Sequence, residues 1–500
     1  MLDRIHNLLQ KSPGSFYPHL DSKNSNIKVA EGTDAFLRDP ENMPVVSANA
    51  YLGMRGIKRA LEAGADIVIC GRCADASPVI AAAAWWHGWA DDAWDELAGA
   101  FTAGHLIECS TYVTGANFSG WTRYPLEELL GIGLGIAEVD KQGNCVITKH
   151  DALPGVVHSD TVKSQLLYEL QGHVYLNSDV KADLSQVSVE DIGKNRVMVT
   201  GTKGHPPPPT TKLAVFYRGG YQWEWTVNTT GKDAARKFKF QEMQLRRKVE
   251  EWGMADDLEV LDFQHIGVPA TNPDSQFSST TYIRMYAQSK KPDLLNKLTM
   301  AWVYDGMAHF AGMHLSLLQR GHVPKPFLSY YPALIPQDEI DEAYTLLGPN
   351  STRVSVGSPP QTEELAPRAN YETLNPAPLS IFGDTFMAPL GEVAHARSGD
   401  KGANVNIGIF VHTEEEWEWL RSFLTHEQMR SLMGKDWQPS FYTERVEFPH
   451  IKAVHFVVYG ALGQGVSSSR LLDGLGKGFA EFIRAVHVPI PKKFLLASAS

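Results

Sequence analysis

The sequence predicts a protein that combines the α/β and α+β classes, and three observations support this. In residues 44–87, apolar segments of strand and helix type alternate along the chain. In residues 211–347 the element order approximates β-α-β-β-α-β, and residues 381–500 have the size and pattern of an independent α+β unit. We therefore expect a partly parallel α/β N-terminal region, a central split-βαβ layer on an antiparallel sheet, and a small C-terminal α+β sandwich.

Residues 44–87 have the pattern of a βαβα unit. An apolar strand at 45–48 leads into a helix at 54–63, which ends at Gly64, a residue type typical of the position after a helix. Residues 66–70 are apolar on both faces, as in a strand buried between helix layers. The passage predicts two parallel strands.

Polar side chains follow these predicted strands. The loop 71–77 separates the strand from a helix opened by Pro78. Ligands collect at the carboxyl ends of parallel strands, where arginine can hold a carboxylate and aspartate can act as a base. The predicted site residues in this region are Asn49, Arg72, Asp75, Ser77, Glu108 and Asn117. The alternative is an Arg72–Asp75 ion pair that only holds the loop together.

The next elements predict an anion site at a helix N-terminus. Residues 94–105 predict a helix, 106–114 a strand, 136–147 a hairpin, and 160–169 a helix capped by Ser159 or Asp160. Lys149 and His150 precede that helix, whose N-terminus favours negative charge. We expect both side chains to contribute to substrate binding.

The rest of the chain divides into a central unit and a C-terminal unit. The predicted central elements are strands 213–217, 223–227, 258–263, 280–286 and 326–331 with helices 232–252, 292–318 and 338–347. The C-terminal ones are strands 391–396, 405–411 and 453–459 with helices 414–433 and 467–486. We place the domain boundaries at 1–203, 211–347, a linker at 348–380, and 381–500.

The predicted turn 397–404 joins two strands of the C-terminal unit and is rich in polar residues. Backbone amides and cations in such a turn can enclose an anion. The predicted ligands are Arg397, Ser398, Lys401 and Asn404. The alternative is a solvated hairpin turn.

Composition excludes several classes of protein. The net charge of -11 argues against a nucleic-acid partner. No apolar run approaches the roughly 20 residues of a membrane span, so no membrane partner is expected. Four cysteines in 500 residues favour a reducing compartment, which we take to be the cytoplasm. Sheet edges that need covering favour a homo-oligomer.

Familiar catalytic motifs do not occur. The chain lacks G-x-S-x-G, a P-loop, G-x-G-x-x-G and H-E-x-x-H. Cys70 and Cys73 form a single C-x-x-C, and His105 and Glu108 would face opposite sides of a strand. We therefore predict no metal site and no cofactor.

Two long stretches resemble a known family. VSANAYLGMRGIKRALEAGADIVICGRCADAS is similar to the N-terminal domain of the acyclic terpene utilisation (AtuA-like) family, and AHARSGDKGANVNIGI with ALGQGVSSSRLLDGLGKGFAEFIR to its C-terminal ferredoxin-like domain. The resemblance implies a ferredoxin-like C-terminal fold and a part in terpene breakdown through acyl-CoA intermediates. Cys73 replaces an aliphatic residue, and family members have a longer segment before the region matching Ile27.

Two functions follow from these features. The first is an enzyme that acts on a branched-chain or terpenoid carboxylic acid, or its acyl-CoA thioester, by hydration, dehydration or C–C lyase chemistry. Asp75 or Glu108 would be the base and Arg72 would hold the carboxylate or polarise a carbonyl, while Arg397 and Lys401 would bind a remote anion. The second is a non-catalytic subunit that binds the acid or acyl-CoA, or a scaffold, in which the shorter N-terminal segment accounts for lost activity.

Overall fold

The structure is a computed structural model that describes residues 24, 26, 27, 35–316, 320–348, 351–465 and 467–498. The elements up to residue 205 form the N-terminal part: α1 (Ala35–Arg38), β1 (Val45–Ala50), α2 (Arg55–Glu62), α3 (Ser77–His87), α4 (Trp94–Glu108), β2 (Gly135–Val139), β3 (Cys145–Lys149), α5 (Ser159–Leu167), β4 (Val174–Leu176), β5 (Lys181–Asp183), β6 (Ser188–Gly193), β7 (Arg196–Thr200) and β8 (Lys203–His205).

The central part follows: β9 (Thr210–Thr230), α6 (Ala234–Glu251), β10 (Val260–Ile266), β11 (Thr280–Ser289), α7 (Pro292–Tyr304), β12 (Met313–His314), β13 (Lys325–Pro336), β14 (Ala343–Thr345) and β15 (Arg353–Ser355). The C-terminal part comprises β16 (Thr385–Pro389), β17 (His395–Lys401), β18 (Asn404–Phe410), α8 (Glu414–Phe423), α9 (His426–Met433), β19 (Tyr442–Phe448), β20 (Ala453–Tyr459), α10 (Phe479–Ala485), β21 (His487–Pro491) and α11 (Lys492–Ser498).

The central sheet is built on β9, a strand of 21 residues. It pairs antiparallel with β1 and with β13 over its first half, and with β11 over its second. The two strands predicted on either side of Gly219 and Gly220 are therefore one. The glycines mark an irregularity of register opposite Phe327, whose ring leaves no room for a side chain at Gly219.

Two small antiparallel sheets and three helices form the core of the N-terminal part. The strand orders are β2-β3-β7-β6 and β4-β5-β8. Helix α4 is buried from Leu97 to Leu106, because it is apolar on all sides and neighbours surround it. It packs on α3 and α5, on β2 of the first sheet and on β8 of the second, and so joins both sheets.

The C-terminal part contains the ferredoxin-like domain that the motifs predicted. Its antiparallel sheet has the order β17-β18-β20-β19. Helices α8 and α10 cover one face, and α5 of the N-terminal part packs against the other at β17 and β18. Strands β18 and β20 are buried along their whole length, since both faces of the sheet are covered.

The combined α/β and α+β class is confirmed, but the predicted parallel unit is wrong. Among the described residues, β1 pairs antiparallel with β9, and the one parallel contact is an isolated bridge between Leu52 and Cys73. Residues 66–70 are not a strand, and Ile67 and Ile69 are 82% and 90% exposed. Of the apolar residues in 66–70, Val68 is partly buried against the core of the N-terminal part, whereas Ile67 and Ile69 face outward.

Several other element predictions differ from the structure. Residues 106–108 end α4 and 109–117 form turns, so the predicted strand at 106–114 is absent. Residues 338–347 form a short 3-10 turn and β14, and 397–401 belong to β17. The helix predicted at 414–433 is divided at Leu424 into α8 and α9. The helices predicted at 292–318 and 467–486 are shorter than expected. The hairpin at 136–147 is confirmed.

No helix in the described part of the chain combines the length and the apolar character that crossing a membrane requires.

Candidate functional site

A cleft lies where the N-terminal, central and C-terminal parts meet. It consists of a cavity of about 290 Å³ and an adjoining pocket of about 580 Å³, which share Asp75 and Glu108. The charged and aromatic residues of the cavity include Tyr51, Asp75, Phe101, Glu108, Glu169, Tyr175, Lys212, Tyr330, Asp400 and Lys401.

Five of the predicted site residues line this cleft. Asn49, Arg72, Asp75 and Glu108 line the adjoining pocket, and Lys401 lines the cavity. The structure thus brings the 71–77 loop and the end of β17 to one cleft. Arg72 lies 3.6 Å from Asp75, and both side chains are about half exposed.

Glu108 is held by a histidine one turn earlier on α4. His105 Nδ1 lies 3.4 Å from Glu108 Oε1, and His105 Nε2 lies 3.2 Å from the carbonyl oxygen of Leu166. Because that carbonyl can only accept, Nε2 is the donor, and Nδ1 faces the Glu108 carboxylate without a hydrogen bond in the described part of the chain. The pair is suited to general acid–base work, with 1% of His105 and 9% of the Glu108 side chain exposed.

Lys401 is paired within the cavity. Its Nζ donates to Glu169 Oε2 at 3.2 Å and lies 5.6 Å from the centre of the Tyr175 ring. Burial opposes the charge, but Tyr175, Glu169 and Glu108 outweigh it and raise the pKa of Lys401. Burial likewise opposes ionisation of Glu169, yet Lys401 and the Tyr168 hydroxyl hold the Glu169 pKa below its ordinary value. Lys401 and Glu169 therefore both stay charged.

Lys212 is a cavity residue that sequence reasoning missed. It lies on β9, with Nζ 4.9 Å from the centre of the Tyr51 ring and 5.9 Å from that of Tyr330. In the described part of the chain its Nζ has no ion pair or hydrogen bond, and burial lowers the pKa of Lys212. The sequence signal that could have identified Lys212 was its position inside a strand rich in β-branched, aromatic and aliphatic residues.

The predicted residues in the N-terminal part that do not line the cleft have structural contacts. Ser77 Oγ is buried and accepts from Asn177 Nδ2 at 3.2 Å, and Asn117 has a left-handed conformation in a turn. Lys149 Nζ donates to the Leu153 carbonyl at 2.6 Å, and His150 Nδ1 accepts from the Ala152 amide. The structure does not bring Lys149 and His150 to the cleft.

The other predicted ligands in the C-terminal part lie in β17 and at the start of β18. The Arg397 guanidinium lies between the rings of Tyr112 and Tyr168, at 4.7 and 4.4 Å from their centres. Ser398 Oγ donates to the Gly476 carbonyl, and Asn404 Oδ1 accepts from the Gly460 amide. The predicted anion-binding turn is thus mainly strand, and of its four residues Lys401 lines the cavity.

Among the residues that the structure describes, the cysteines and the His105–Glu108 pair do not form a group of three or more possible metal ligands. All four cysteines are free thiols. A different group comes together at the N-terminus of α5, where ligand atoms of Asp160, His395 and His412 lie within 4.8 Å of one another. Sequence reasoning did not find this group because its members are distant in the chain.

Comparison with known proteins gave two family matches. A model described as acyclic terpene utilisation family protein AtuA matches residues 3–346. A model described as AtuA ferredoxin-like domain matches residues 388–489. No match was found among curated proteins or among solved structures.

Proposed function

The chain belongs to the acyclic terpene utilisation family AtuA, as its motifs predicted, and we propose that it is an enzyme that hydrates a branched or terpenoid unsaturated acid, or its acyl-CoA thioester, in the cleft. The observation that carries the proposal is a pair of lysines with opposite pKa shifts facing carboxylates in one cavity. Environments that separate the pKa values of neighbouring groups are typical of acid–base sites.

The walls of the cavity suit an aliphatic chain with an acidic or thioester end. Val174, Leu176, Pro332 and Leu334 contribute apolar surface, and aromatic rings lie beside them. Binding cavities for small molecules typically combine such walls with a few polar groups that fix orientation. Lys401 supplies the positive charge for the polar end.

The two lysines and Glu108 have separate roles in hydration. Glu108, held by His105, takes a proton from water as the water oxygen forms a bond to the β-carbon. The electrons of the double bond move onto the carbonyl oxygen, where the fixed charge of Lys401 stabilises the enolate. Lys212, whose pKa is lowered by burial, donates a proton to the α-carbon. Solvent returns the proton from Glu108 to Lys212, and the reverse sequence is dehydration.

Turnover of defined acids tests the proposal. The full-length protein is incubated in D₂O with branched and acyclic terpenoid unsaturated acids and, separately, their CoA thioesters, and mass spectrometry detects addition of D₂O. We expect conversion of at least one class, with kcat reduced roughly 10²–10⁴-fold in Glu108→Gln and in Lys212→Met. Lys452→Met changes a lysine of the C-terminal domain paired with the exposed Glu414 and serves as control.

Two results would contradict the proposal. One is full turnover by both folded variants, which would place the chemistry elsewhere. The other is a thermal shift with acids or thioesters that is accompanied by no conversion, which would favour the non-catalytic binding subunit.

A further inference from the structure

The group at the N-terminus of α5 is composed of two histidines and an aspartate. Asp160 Oδ2 lies 2.9 Å from His412 Nε2 and 3.9 Å from His395 Nε2. The two imidazole rings are nearly perpendicular, with centres 5.3 Å apart. Three nitrogen and oxygen donors therefore point toward one small volume.

Two buried atoms of this group have no hydrogen-bond partner in the described part of the chain. They are Asp160 Oδ1 and His395 Nε2. Asp160 and His395 are 7% and 3% exposed. Buried polar atoms without a partner are uncommon, because leaving them unsatisfied is costly. A cation bound by Asp160 and His395 would supply the partner that His395 Nε2 lacks.

The surroundings orient His395 as a metal ligand. Its Nδ1 is hydrogen-bonded to Ser119 Oγ at 2.9 Å, which leaves Nε2 facing Asp160. A partner on the second ring nitrogen is a regular feature of metal-binding histidines.

Both ring nitrogens of the neighbouring His158 already have hydrogen-bond partners. Its Nδ1 accepts from the Asp160 amide and its Nε2 is 2.7 Å from the Tyr124 hydroxyl. It helps to hold Asp160 and does not offer a fourth donor.

We propose that Asp160, His395 and His412 bind one divalent transition-metal ion such as Zn²⁺ or Fe²⁺. Imidazole nitrogen and carboxylate oxygen are the donors these ions accept, at about 2.0–2.2 Å for zinc. Two donors 2.9 Å apart already have the spacing of adjacent ligands on one ion. His412 is 40% exposed, so water has access to the remaining positions.

The ion joins two parts of the molecule at a distance from the cleft. Asp160 belongs to α5, whereas His395 begins β17 and His412 follows β18. The nine residues of α5 span about 13 Å, which separates the ion from the cavity at the other end of the helix. The ion stabilises the contact of the N-terminal part with the ferredoxin-like domain.

Metal analysis of the full-length protein tests this site without any substrate. Tag-free protein is treated with chelator, titrated with Zn²⁺ and, in a second arm, with Fe²⁺ under anaerobic conditions, and dialysed; bound metal is measured by plasma mass spectrometry. We expect one ion per chain and a higher melting temperature on loading. His412→Ala changes a partly exposed side chain and is expected to weaken binding by more than about 100-fold.

His426→Ala is the matched control. His426 Nδ1 also lies beside a carboxylate, Glu372, at 2.8 Å, but without a second histidine in the group. This variant should retain one ion per chain. The proposal is overturned if the wild-type protein binds no more metal than His412→Ala, or if both variants lose the metal equally.

Discussion

The two ends of the packed pair α5 and β17 carry different chemistry. At one end Glu169, two residues past α5, pairs with Lys401 at the end of β17, and both face the cavity. At the other end Asp160 and His395 lie close together, but each keeps one buried polar atom unpaired. At the first end the two charges are paired with each other, whereas at the second end two buried atoms have no hydrogen-bond partner among the described residues. The same two elements can therefore orient one site through internal pairing and leave another open for an ion.

The largest loss of stability is expected from breaking the Lys401–Glu169 ion pair. Lys401→Met removes the cation that is paired with Glu169 and leaves the carboxylate with only the Tyr168 hydroxyl. A fully buried pair typically costs about 3–5 kcal/mol to break. Because 21% of each side chain is exposed, we expect the free energy of unfolding to fall by about 1–3 kcal/mol. Urea denaturation measures the change.

Lys452→Met is the matched control for this loss. Lys452 is also 21% exposed and lies 2.9 Å from Glu414, but Glu414 is 81% exposed. An exposed partner regains water when the pair is broken, so the loss should be below about 1 kcal/mol. Equal losses in the two variants would show that the Lys401–Glu169 pair is no more than a surface ion pair.

The same pair predicts a pH window for stability. The pKa of Glu169 is lowered in the folded state, so its contribution is present above its unfolded value of about 4.3 and is lost as pH falls through the folded pKa. The pKa of Lys401 is raised, so its contribution is present below about 10.4 and is lost as pH rises through the folded pKa.

Between these limits the wild-type protein should exceed Lys401→Met in stability by a constant amount. The difference should shrink between about pH 4 and pH 2, and again above about pH 10.4. Urea denaturation of both proteins across this range measures it. A difference that stays constant down to about pH 2 would contradict the pairing.

Local signals in the sequence predicted part of the fold and part of the cleft. Capping residues, apolar spacing and turn residues indicated α2, α3 and the β2–β3 hairpin, because these elements depend on neighbours in the chain. The pairing of β1 with β9 joins Ala50 to Leu213, and no local pattern contains that information. The predicted parallel unit failed for this reason.

Two cleft residues were predicted from a strand arrangement that the structure does not have. Arg72 and Asp75 were placed at the end of a parallel strand, but they reach the cleft on an exposed loop beside an isolated bridge. Lys212 was missed because its burial depends on Tyr330, and His412 because its partners are distant in sequence. Site residues that lie together in one segment could be predicted, whereas site residues that only the tertiary fold brings together could not.

The smallest loss of stability is expected at the proposed metal site, from Ser119, which orients His395. Ser119 Oγ is hydrogen-bonded to His395 Nδ1 and accepts from the Ala396 amide at 3.3 Å. Ser119→Ala should reduce the free energy of unfolding of the metal-free protein by about 1 kcal/mol. It should also weaken Zn²⁺ binding by about 10–100-fold, because the ring loses the partner that directs Nε2 toward the ion. Calorimetric titration measures the affinity.

Ser422→Ala separates orientation of the ligand from stability. Ser422 is buried to the same degree as Ser119, and its Oγ accepts from the Ala377 amide at 2.9 Å. Its loss should destabilise the protein by a similar amount of about 1 kcal/mol and leave Zn²⁺ affinity unchanged. If both serine variants bind Zn²⁺ as tightly as the wild type, the orientation of His395 does not depend on Ser119, and the proposed role of Ser119 in directing Nε2 toward the ion is wrong. If only Ser119→Ala weakens binding, the serine acts on the ion through His395.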